Sequence, residues 1–292
     1  MPIRYPFTKM HGLGNCYIYM DGLSQPLEIS DPAQLARDIS DPARGIGSDG
    51  LILILPSVQA DVRMRIFNKD GSEAKNCGNG LRCVAKYAVE HRMVAGQTVD
   101  IETLSGVKQA RVHGNGGEVL AVTVDMGAPI LERGLIPVAG GDVSQSVIRE
   151  ALTVGSDTYR FTAVSMGNPH ALFFVDDIEK APIRLLGSQL ADTDPLFPDG
   201  ANIGFIQTLS PDAFAYRVWE RGSGITQACG TGACAAVVAS ILEGRAAKGQ
   251  PLTVHLAGGD LVIRWDEASG HVLMRGEAKT ICTGYYFQMD NR

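Results

Sequence analysis

The sequence lacks three features that mark common classes of protein. Apolar runs such as LILIL at 51–55 and AAVVASIL at 235–242 fall well short of the roughly eighteen residues that cross a bilayer. A formal net charge of −6 argues against a surface for nucleic acid or an anionic membrane, since both require a clustered positive field. The first residues, MPIRYPFTKMHG, contain no apolar segment typical of a signal peptide, so we expect a cytoplasmic location.

Metal-binding cysteine patterns are also missing, although the chain has six cysteines. No Cys-x-x-Cys or Cys-x-x-His pair occurs, and the spacings Cys77–Cys83 and Cys229–Cys234 fit no common zinc site. A reducing compartment disfavours a disulfide framework in a chain of 292 residues. We therefore predict no bound metal, and we interpret Cys83, Cys234 and Cys282 as small buried apolar residues.

What is present favours an α+β fold with many strands and few helices. The apolar content of 45% suits a soluble globular protein with ample core, and the length suits two domains of ordinary size or one large one. Three helices are predicted, over 31–40 with Ser30 or Asp31 as cap, after Cys77 and after Cys229, with shorter candidates near 176–191. Alternation of apolar and polar residues predicts the strands, at 62–68, 98–103, 121–127, 170–177, 215–222, 252–259, 261–265 and 271–276, and a hairpin turn at 113–118.

One motif occurs twice, about half the chain apart. SEAKNCGNGLRCVAKYAVEH begins at Ser72, and TQACGTGACAAVVASILEG begins at Thr226. Each places Cys-Gly-x-Gly at the start of a predicted helix, and the second helix is apolar on all sides, which predicts burial in a core. This repetition favours an internal duplication, in which each half is a strand-rich layer around one central helix.

A helix N-terminus can activate a thiol. The free amides and the macrodipole contribute roughly 0.3–2 kcal/mol towards an anion, which would lower a thiol pKa of about 8.5 towards neutrality. The glycines allow a ligand to approach the backbone N–H groups, which can bind a carboxylate. Each motif therefore predicts an acid or base beside an anion-binding site.

Two such thiols suit inversion at a carbon that bears a carboxylate and an amine. One group removes the α-proton and the other delivers a proton to the opposite face, so that each is acid in one direction and base in the other. Backbone donors would stabilise the enolate-like charge that develops.

Other interpretations fit the residues less well. A phosphatase loop needs arginine six positions after the cysteine, where Cys83 stands. GIGSDG at 45–50 matches G-x-G-x-x-G, but it precedes a strand, which disfavours a dinucleotide site. A hydrolase with a Cys–His pair using His170 would leave the second motif without a role. Two further functions remain open, namely a racemase of a different amino acid and a non-catalytic amino-acid-binding protein.

Five segments resemble those of diaminopimelate epimerases: FTKMHGLGN (7–15), FNKDGSEAKNCGNGLRC (67–83), MGNPH (166–170), ANIGF (201–205) and ERGSGITQACGTGACA (220–235). The resemblance implies two pseudo-symmetric lobes, 1–126 and 127–276, with the site in the cleft between them and the segment 277–292 returning to the first lobe. It further implies interconversion of LL- and meso-diaminopimelate for lysine and peptidoglycan supply, by a homodimer without a cofactor. Proline racemases and phenazine-pathway proteins share the implied fold.

The resemblance also implies a role for each matching residue. Cys77 and Cys229 correspond to the acid/base pair, and His170 and Glu220 to positions that modulate the thiols. Residues that correspond to substrate-binding positions are Asn15 near the amine, Gly78, Asn79, Gly230 and Thr231 at the reacting carboxylate, and Asn68, Asn168, Asn202 and Arg221 at the distal amino-acid end. Glu220 also corresponds to a substrate-binding position.

Several of these residues also have structural explanations. The asparagines could serve turn geometry, His170 and Glu220 could be partners within a sheet, and Arg221 could be a surface charge. Three positions depart from many family members: Cys16 stands where an aspartate is common, Gly50 where some members carry glutamine, and Thr231 where others carry serine.

Overall fold

Residues 3–75, 77–115, 118–192 and 194–288 are described in a computed structural model of the protein. They divide into two units. The first unit comprises the described residues of Met1–Val124 and Gly276–Arg292, and the second comprises those of Asp125–Arg275. No helix within these described ranges combines the length and apolarity needed to cross a bilayer.

The helices are α1 (Pro32–Ser40), α2 (Gly78–Glu90), α3 (Ile183–Leu190) and α4 (Gly230–Leu242), with a 3₁₀ turn at Ile178–Lys180. The strands are β1 (Ile3–Gly12), β2 (Asn15–Asp21), β3 (Gly50–Leu55), β4 (Val62–Asn68), β5 (Glu73–Ala74), β6 (Thr98–Thr103), β7 (Gly106–Asn115), β8 (Glu118–Asp125), β9 (Glu150–Val154), β10 (Asp157–Ser165), β11 (Pro169–Phe174), β12 (Asn202–Ser210), β13 (Ala213–Glu220), β14 (Gly224–Ile225), β15 (Leu252–Leu256), β16 (Gly259–Trp265), β17 (Val272–Gly276) and β18 (Lys279–Gln288).

The strands of the first unit pair in the order β18–β1–β2–β3–β4–β6–β7–β8, and β5 pairs with β4. The pairs β2–β3 and β4–β6 are parallel, and the others are antiparallel. Parallel neighbours need a crossover connection, which α1 supplies for the first pair and α2 for the second. The two helices are therefore consequences of this strand order.

Each helix of the first unit buries one side against these strands. α1 begins where the Asp31 carboxylate accepts a hydrogen bond from the Gln34 N–H, and the helix packs on β3 and β4, with its buried Leu35 and Ile39 in a hydrophobic cluster of the first unit. α2 is buried from Gly78 to Ala88, a span that includes the charged Arg82 and Lys86. These two charges have hydrogen-bond acceptors, as buried charges require.

The strands of the second unit pair in the order β9–β10–β11–β12–β13–β15–β16–β17, and β14 pairs with β13. Its parallel pairs are β11–β12 and β13–β15, and their crossovers contain α3 and α4. The core includes a row of rings in the order Phe197, Phe161, Phe173 and Phe205, whose neighbouring centroids lie 5.5–5.9 Å apart. α4 is buried without interruption from Gly232 to Ser240.

The two units share one topology. The run β2–α1–β3–β4–β5–α2–β6–β7–β8 corresponds to the run β11–α3–β12–β13–β14–α4–β15–β16–β17, with the same parallel and antiparallel neighbours. Cys77 precedes α2 and Cys229 precedes α4, so the two cysteines occupy equivalent places. This correspondence is what an internal duplication produces.

Most sequence predictions of structure are confirmed. The chain is α+β, strand-rich, with a buried helix after each motif, and Asp31 caps the helix predicted over 31–40. The strands predicted at 62–68 and 98–103 have those bounds, whereas the one predicted at 170–177 ends at Phe174. β7 and β8 pair as the two arms of the predicted hairpin, but positions 116 and 117 of its turn lie outside the described residues.

The interpretation of the remaining cysteines is right for two and wrong for one. Cys83 and Cys234 are buried within α2 and α4, but Cys282 is exposed. Its strand, β18, lies at the edge of the first unit beside β1, and most of its side chains reach solvent on both faces. The general tendency of free cysteines to be buried therefore does not hold for Cys282.

Adjacent leucines of α3 test how the second unit gains its stability. Leu186 is 0% exposed and Leu185 is 48% exposed, so Leu186→Ala leaves a cavity and Leu185→Ala does not. We expect Leu186→Ala to lower the free energy of unfolding by about 2–5 kcal/mol. Leu185→Ala should change it by about 0.5 kcal/mol or less. Urea unfolding followed by fluorescence measures both, and similar losses would mean that α3 does not pack as described.

Candidate active site

Cys77 lies at the N-terminus of α2, with its thiol half exposed. It is the N-cap residue, and its Sγ accepts a hydrogen bond from the Gly80 N–H at 3.5 Å. The following Gly78 and Asn79 are buried in the first turn of the helix. The thiol therefore has the relation to the helix amides that the sequence predicted.

An amide network surrounds this thiol. The Sγ of Cys77 is 3.6 Å from Oδ1 of Asn15, the first residue of β2, and Nδ2 of Asn79 donates to the same oxygen at 3.2 Å. Nδ2 of Asn15 donates to Oδ2 of Asp49 at 2.9 Å. Arg82 donates to Oδ1 of Asn79 at 2.7 Å. Asn15, Cys77 and Asn79 are thus brought together, and Asp49 and Arg82 extend the network at its two ends.

Asn68 and Gly50 lie opposite each other at the ends of β4 and β3. Nδ2 of Asn68 donates to the Ser72 hydroxyl at 3.0 Å, within a turn closed by the backbone of the same two residues. A Cβ on Gly50 would overlap the Phe67 carbonyl oxygen, so this backbone accepts only glycine there. The glutamine found in some family members would therefore require a different path for this segment.

Cys229 lies at the N-terminus of α4 and is buried. Its Sγ is 3.5 Å from Oγ1 of Thr231. The Glu220 carboxylate, at the end of β13, accepts a hydrogen bond from the Thr226 hydroxyl and lies near the Cys229 thiol. Gly232 lies over the ring of Tyr216, where a Cβ would overlap the phenol oxygen, so the close packing of α4 on β13 requires glycine.

Burial raises the pKa of the Cys229 thiol well above its ordinary value, and the negative charge of Glu220 raises it further. The Thr231 hydroxyl and the Gly232 N–H lower this pKa by less. Burial also raises the pKa of Glu220. The prediction that a helix N-terminus brings the thiol towards neutrality is thus wrong for Cys229, because loss of hydration outweighs the helix amides.

His170 is fully buried on β11, beside the residues that surround Cys229. Its Nε2 lies 3.2 Å from Oδ1 of Asn168 and 3.2 Å from Oγ1 of Thr231. Burial lowers the pKa of this imidazole to about 3, with a further contribution from the positive charge of Arg221. Because its Nε2 faces the amide oxygen of Asn168, the neutral ring is assigned its proton on Nε2. The Thr231 hydroxyl contacts both this nitrogen and the Cys229 thiol, so His170 reaches Cys229 through Thr231.

Asn202 and Arg221 are joined through the backbone. Oδ1 of Asn202, at the start of β12, accepts a hydrogen bond from the Arg221 N–H at 2.9 Å. The Arg221 side chain is exposed, and its guanidinium donates to the Asp199 carbonyl oxygen. Gly230 occupies the first turn of α4. Within the second unit, the predicted residues therefore form one neighbourhood around the N-terminus of α4.

Three residues of these networks are absent from the sequence prediction. Asp49 belongs to GIGSDG, which had been considered only as a dinucleotide motif. Arg82 had been noted only because it is one position short of a phosphatase arginine, and Thr226 opens the second motif. Within the described residues, no group of three or more His, Cys, Asp and Glu side chains could hold a metal ion.

Comparison with solved structures identifies the class of fold first. A probable proline racemase from Agrobacterium radiobacter, solved with bound carbonate, superposes with a TM-score of 0.69, covering 99% of this chain and 93% of that chain. The identity is 16%, so this likeness shows the fold alone. The chain has the fold of the racemase and epimerase proteins that carry this two-unit α+β topology.

Sequence comparison then identifies the family. The family model for diaminopimelate epimerase matches residues 7–132 and 162–281. Diaminopimelate epimerase from Geobacillus kaustophilus is 56% identical over 288 residues, covering 99% of this chain and 98% of the relative. The Bacillus subtilis enzyme of the same name is 54% identical over 283 residues, covering 97% and 99%. The chain belongs to the diaminopimelate epimerase family, isomerases that act on amino acids.

Burial of His170 has a consequence for stability at low pH. The folded-state pKa of about 3 lies below the ordinary 6.5, so folding stability from the neutral ring is present above pH 6.5 and is lost as pH falls towards 3. We expect His170→Asn to lose less stability than the unsubstituted protein between pH 6.5 and pH 4. Urea unfolding over this range measures the two slopes, and equal slopes would contradict a buried neutral imidazole.

Proposed function

We propose that this protein interconverts LL- and meso-diaminopimelate, with Cys77 and Cys229 as the paired acid and base and without a cofactor. Membership of the family supports the substrate. The observation that carries the mechanism is the equivalent placement of the two thiols, each the N-cap residue of the buried helix of its own unit. Duplication of the motif would otherwise be unexplained.

In the proposed reaction, one cysteine acts as a thiolate and takes the proton from the α-carbon. The electron pair of the broken C–H bond delocalises into the substrate carboxylate, and the other cysteine, as a thiol, gives its proton to the opposite face. The reverse direction exchanges the two roles, which is why chemically identical groups suit the task. No oxidation or reduction takes place.

The substrate-binding roles follow from the groups that each residue offers. Backbone N–H groups at the first turns of α2 and α4, with the side chains of Asn79 and Thr231, would bind the reacting carboxylate and stabilise its developing charge. Oδ1 of Asn15 would accept a hydrogen bond from the reacting ammonium. The distal amino-acid end would be bound by the Arg221 guanidinium and by amides, those of Asn68, Asn168 and Asn202.

Glu220 and His170 would modulate the second thiol. The carboxylate of Glu220 disfavours the thiolate of Cys229, and His170 acts through Thr231. The charge of Glu220 would keep Cys229 protonated until it has a proton to deliver, whereas the Thr231 hydroxyl, oriented by His170, would stabilise the thiolate that remains. We further propose that the enzyme supplies meso-diaminopimelate to lysine biosynthesis and acts as a homodimer.

Racemisation of a different amino acid is the second candidate, since the fold is shared with a probable proline racemase. Both candidates exchange an α-proton and would incorporate deuterium from heavy water. They differ in which amino acid acquires it. Incubation with a panel of amino acids, read by mass spectrometry, separates them. Label in diaminopimelate alone supports the proposal, label in another amino acid alone supports a racemase, and no label in any supports a binding protein.

Replacement of either proposed acid/base tests the mechanism. We expect Cys77→Ala and Cys229→Ala each to reduce epimerisation by at least about 10²–10⁴-fold, the contribution typical of a positioned acid or base. Cys282→Ala is the matched control, because Cys282 is exposed on β18. Turnover close to normal in either of the first two variants would remove that cysteine from the mechanism.

Arg221 tests recognition of the distal end. Loss of a charged hydrogen bond to the distal carboxylate should lower kcat/KM for diaminopimelate by about 10–100-fold in Arg221→Ala. α-Proton exchange of an amino acid with a single head group should change much less. Arg217→Ala serves as the control, because Arg217 lies on β13, the strand that ends just before Arg221, but pairs with Glu179. Equal losses on both substrates would mean that Arg221 does not contact the distal end.

A further inference from the structure

We propose that Asp49 and Arg82 are positioning residues that together hold Asn15 with its side-chain oxygen facing the thiol of Cys77. This inference rests on the proposed function for the identity of the substrate, but not for the geometry. It concerns residues of the first unit alone. Its basis is a continuous chain of hydrogen bonds that has a group with only donors at one end and a group with only acceptors at the other.

The chain runs from a buried arginine to a carboxylate. Arg82, which is 0% exposed, donates through Nη2 to Oδ1 of Asn79 at 2.7 Å. Nδ2 of Asn79 donates to Oδ1 of Asn15 at 3.2 Å, and Nδ2 of Asn15 donates to Oδ2 of Asp49 at 2.9 Å. Two asparagine amides are therefore arranged head to tail between the guanidinium and the carboxylate.

The end groups determine which way both amides point. A guanidinium has only donors, so Asn79 must face Arg82 with its oxygen and must face Asn15 with its nitrogen. An ionised carboxylate has only acceptors, so Asn15 must face Asp49 with its nitrogen. Both requirements leave the oxygen of Asn15 directed at Cys77 and Asn79. A rotated Asn79 would set two donors against each other at Arg82, and a rotated Asn15 would set two acceptors against each other at Asp49.

Both end groups are held independently of this role. The backbone of Asp49 is fixed by hydrogen bonds from its N–H to the Cys16 carbonyl at 2.7 Å and from the Lys69 N–H to its own carbonyl at 2.9 Å. Arg82 donates through Nε to the Glu277 carbonyl at 3.0 Å. Gly12 provides the space for the guanidinium, since a Cβ there would come within 2.8 Å of Nη2.

A fixed oxygen at this point discriminates between substrate groups. The oxygen of Asn15 accepts from the Cys77 thiol at 3.6 Å and would equally accept from an ammonium, but it repels a carboxylate. A bound amino acid is thereby oriented with its amine towards Asn15 and its carboxylate towards the amides of α2. The same oxygen stabilises the protonated form of Cys77 until an ammonium takes its place, and the positive charge then favours the thiolate.

A double-mutant cycle tests whether Asp49 acts through Asn15. We expect Asp49→Ala to lower kcat/KM by about tenfold or more, the effect of losing a hydrogen bond to a charged group. In an Asn15→Ala background, Asp49→Ala should have no further effect. Asp49→Asn, which keeps an oxygen for the Asn15 and Cys16 N–H groups, should recover most of the activity. Additive losses, or Asp49→Ala activity within twofold of normal, would overturn the proposal.

An exchanged pair tests the same contact without removing a side chain, and it applies even where Asp49→Ala does not fold. Asn15→Asp alone places the carboxylates of positions 15 and 49 opposite each other across the present 2.9 Å contact. Their repulsion should reduce kcat/KM and thermal stability. Adding Asp49→Asn restores one amide and one carboxylate, with the amide on the opposite side. We expect the double variant to be at least about tenfold more active than Asn15→Asp. Absence of this rescue would count against the contact.

Alkylation of Cys77 gives a measurement that does not depend on turnover. The rate of carboxamidomethylation by iodoacetamide, followed for the Cys77 peptide by mass spectrometry, reports the thiolate fraction at each pH. We expect the midpoint pH to fall in Asp49→Ala, because the amide no longer holds an acceptor oxygen against the thiol. Asp41→Ala is the control, since that carboxylate accepts from backbone N–H groups of another loop.

Different results would contradict the positioning role of Asp49 and the acid/base role of Cys77. An unchanged midpoint in Asp49→Ala would overturn the positioning role, whether or not Cys77→Ala is inactive. Full activity of Cys77→Ala would overturn the proposed mechanism. A midpoint that falls in Asp49→Ala but not in Asp49→Asn, which lacks the charge and keeps the acceptor oxygen, would still show that Asp49 controls the polarity of Asn15.

Discussion

A thiol at the first turn of a buried helix is the constraint around which both units are organised. α2 is buried from its first residue and α4 from Gly232, so the N-terminal amides of both helices depend on the groups placed around each N-terminus for hydrogen-bond partners. The crossover connections between parallel strands place those residues there, since β2, β3 and β4 end or begin at the same edge as Cys77. The strand order and the chemistry of the site are therefore linked.

The two thiols nevertheless differ in their surroundings. Cys77 is half exposed and lies against neutral amides, whereas Cys229 is buried beside the carboxylate of Glu220. A duplicated fold thus provides equivalent positions for two cysteines without providing equivalent electrostatics. Such asymmetry suits a reaction in which one group must begin as an acid while the other begins as a base.

The sequence predicted the repeated motif and the strands of regular alternation, such as β4 and β6, because their periodicity is local. It also predicted the α+β class and the two buried helices. It did not predict Asp49 as a partner of Asn15, because the two are 34 positions apart and meet only through the parallel pairing of β2 and β3. The raised pKa of Cys229 was missed for a related reason, since it depends on burial and on Glu220 from another strand.

The pairing of β18 with β1 has a consequence for biosynthesis. β1 comprises Ile3–Gly12, and its partner β18 comprises Lys279–Gln288, so the first unit joins opposite ends of the described chain. During translation, residues 125–275 emerge before β18 does. The second unit can therefore fold on the ribosome while β1 still lacks this neighbour, and assembly of the first unit finishes last. Until β18 is synthesised, one edge of β1 stays unpaired, and an unpaired edge can pair with another chain.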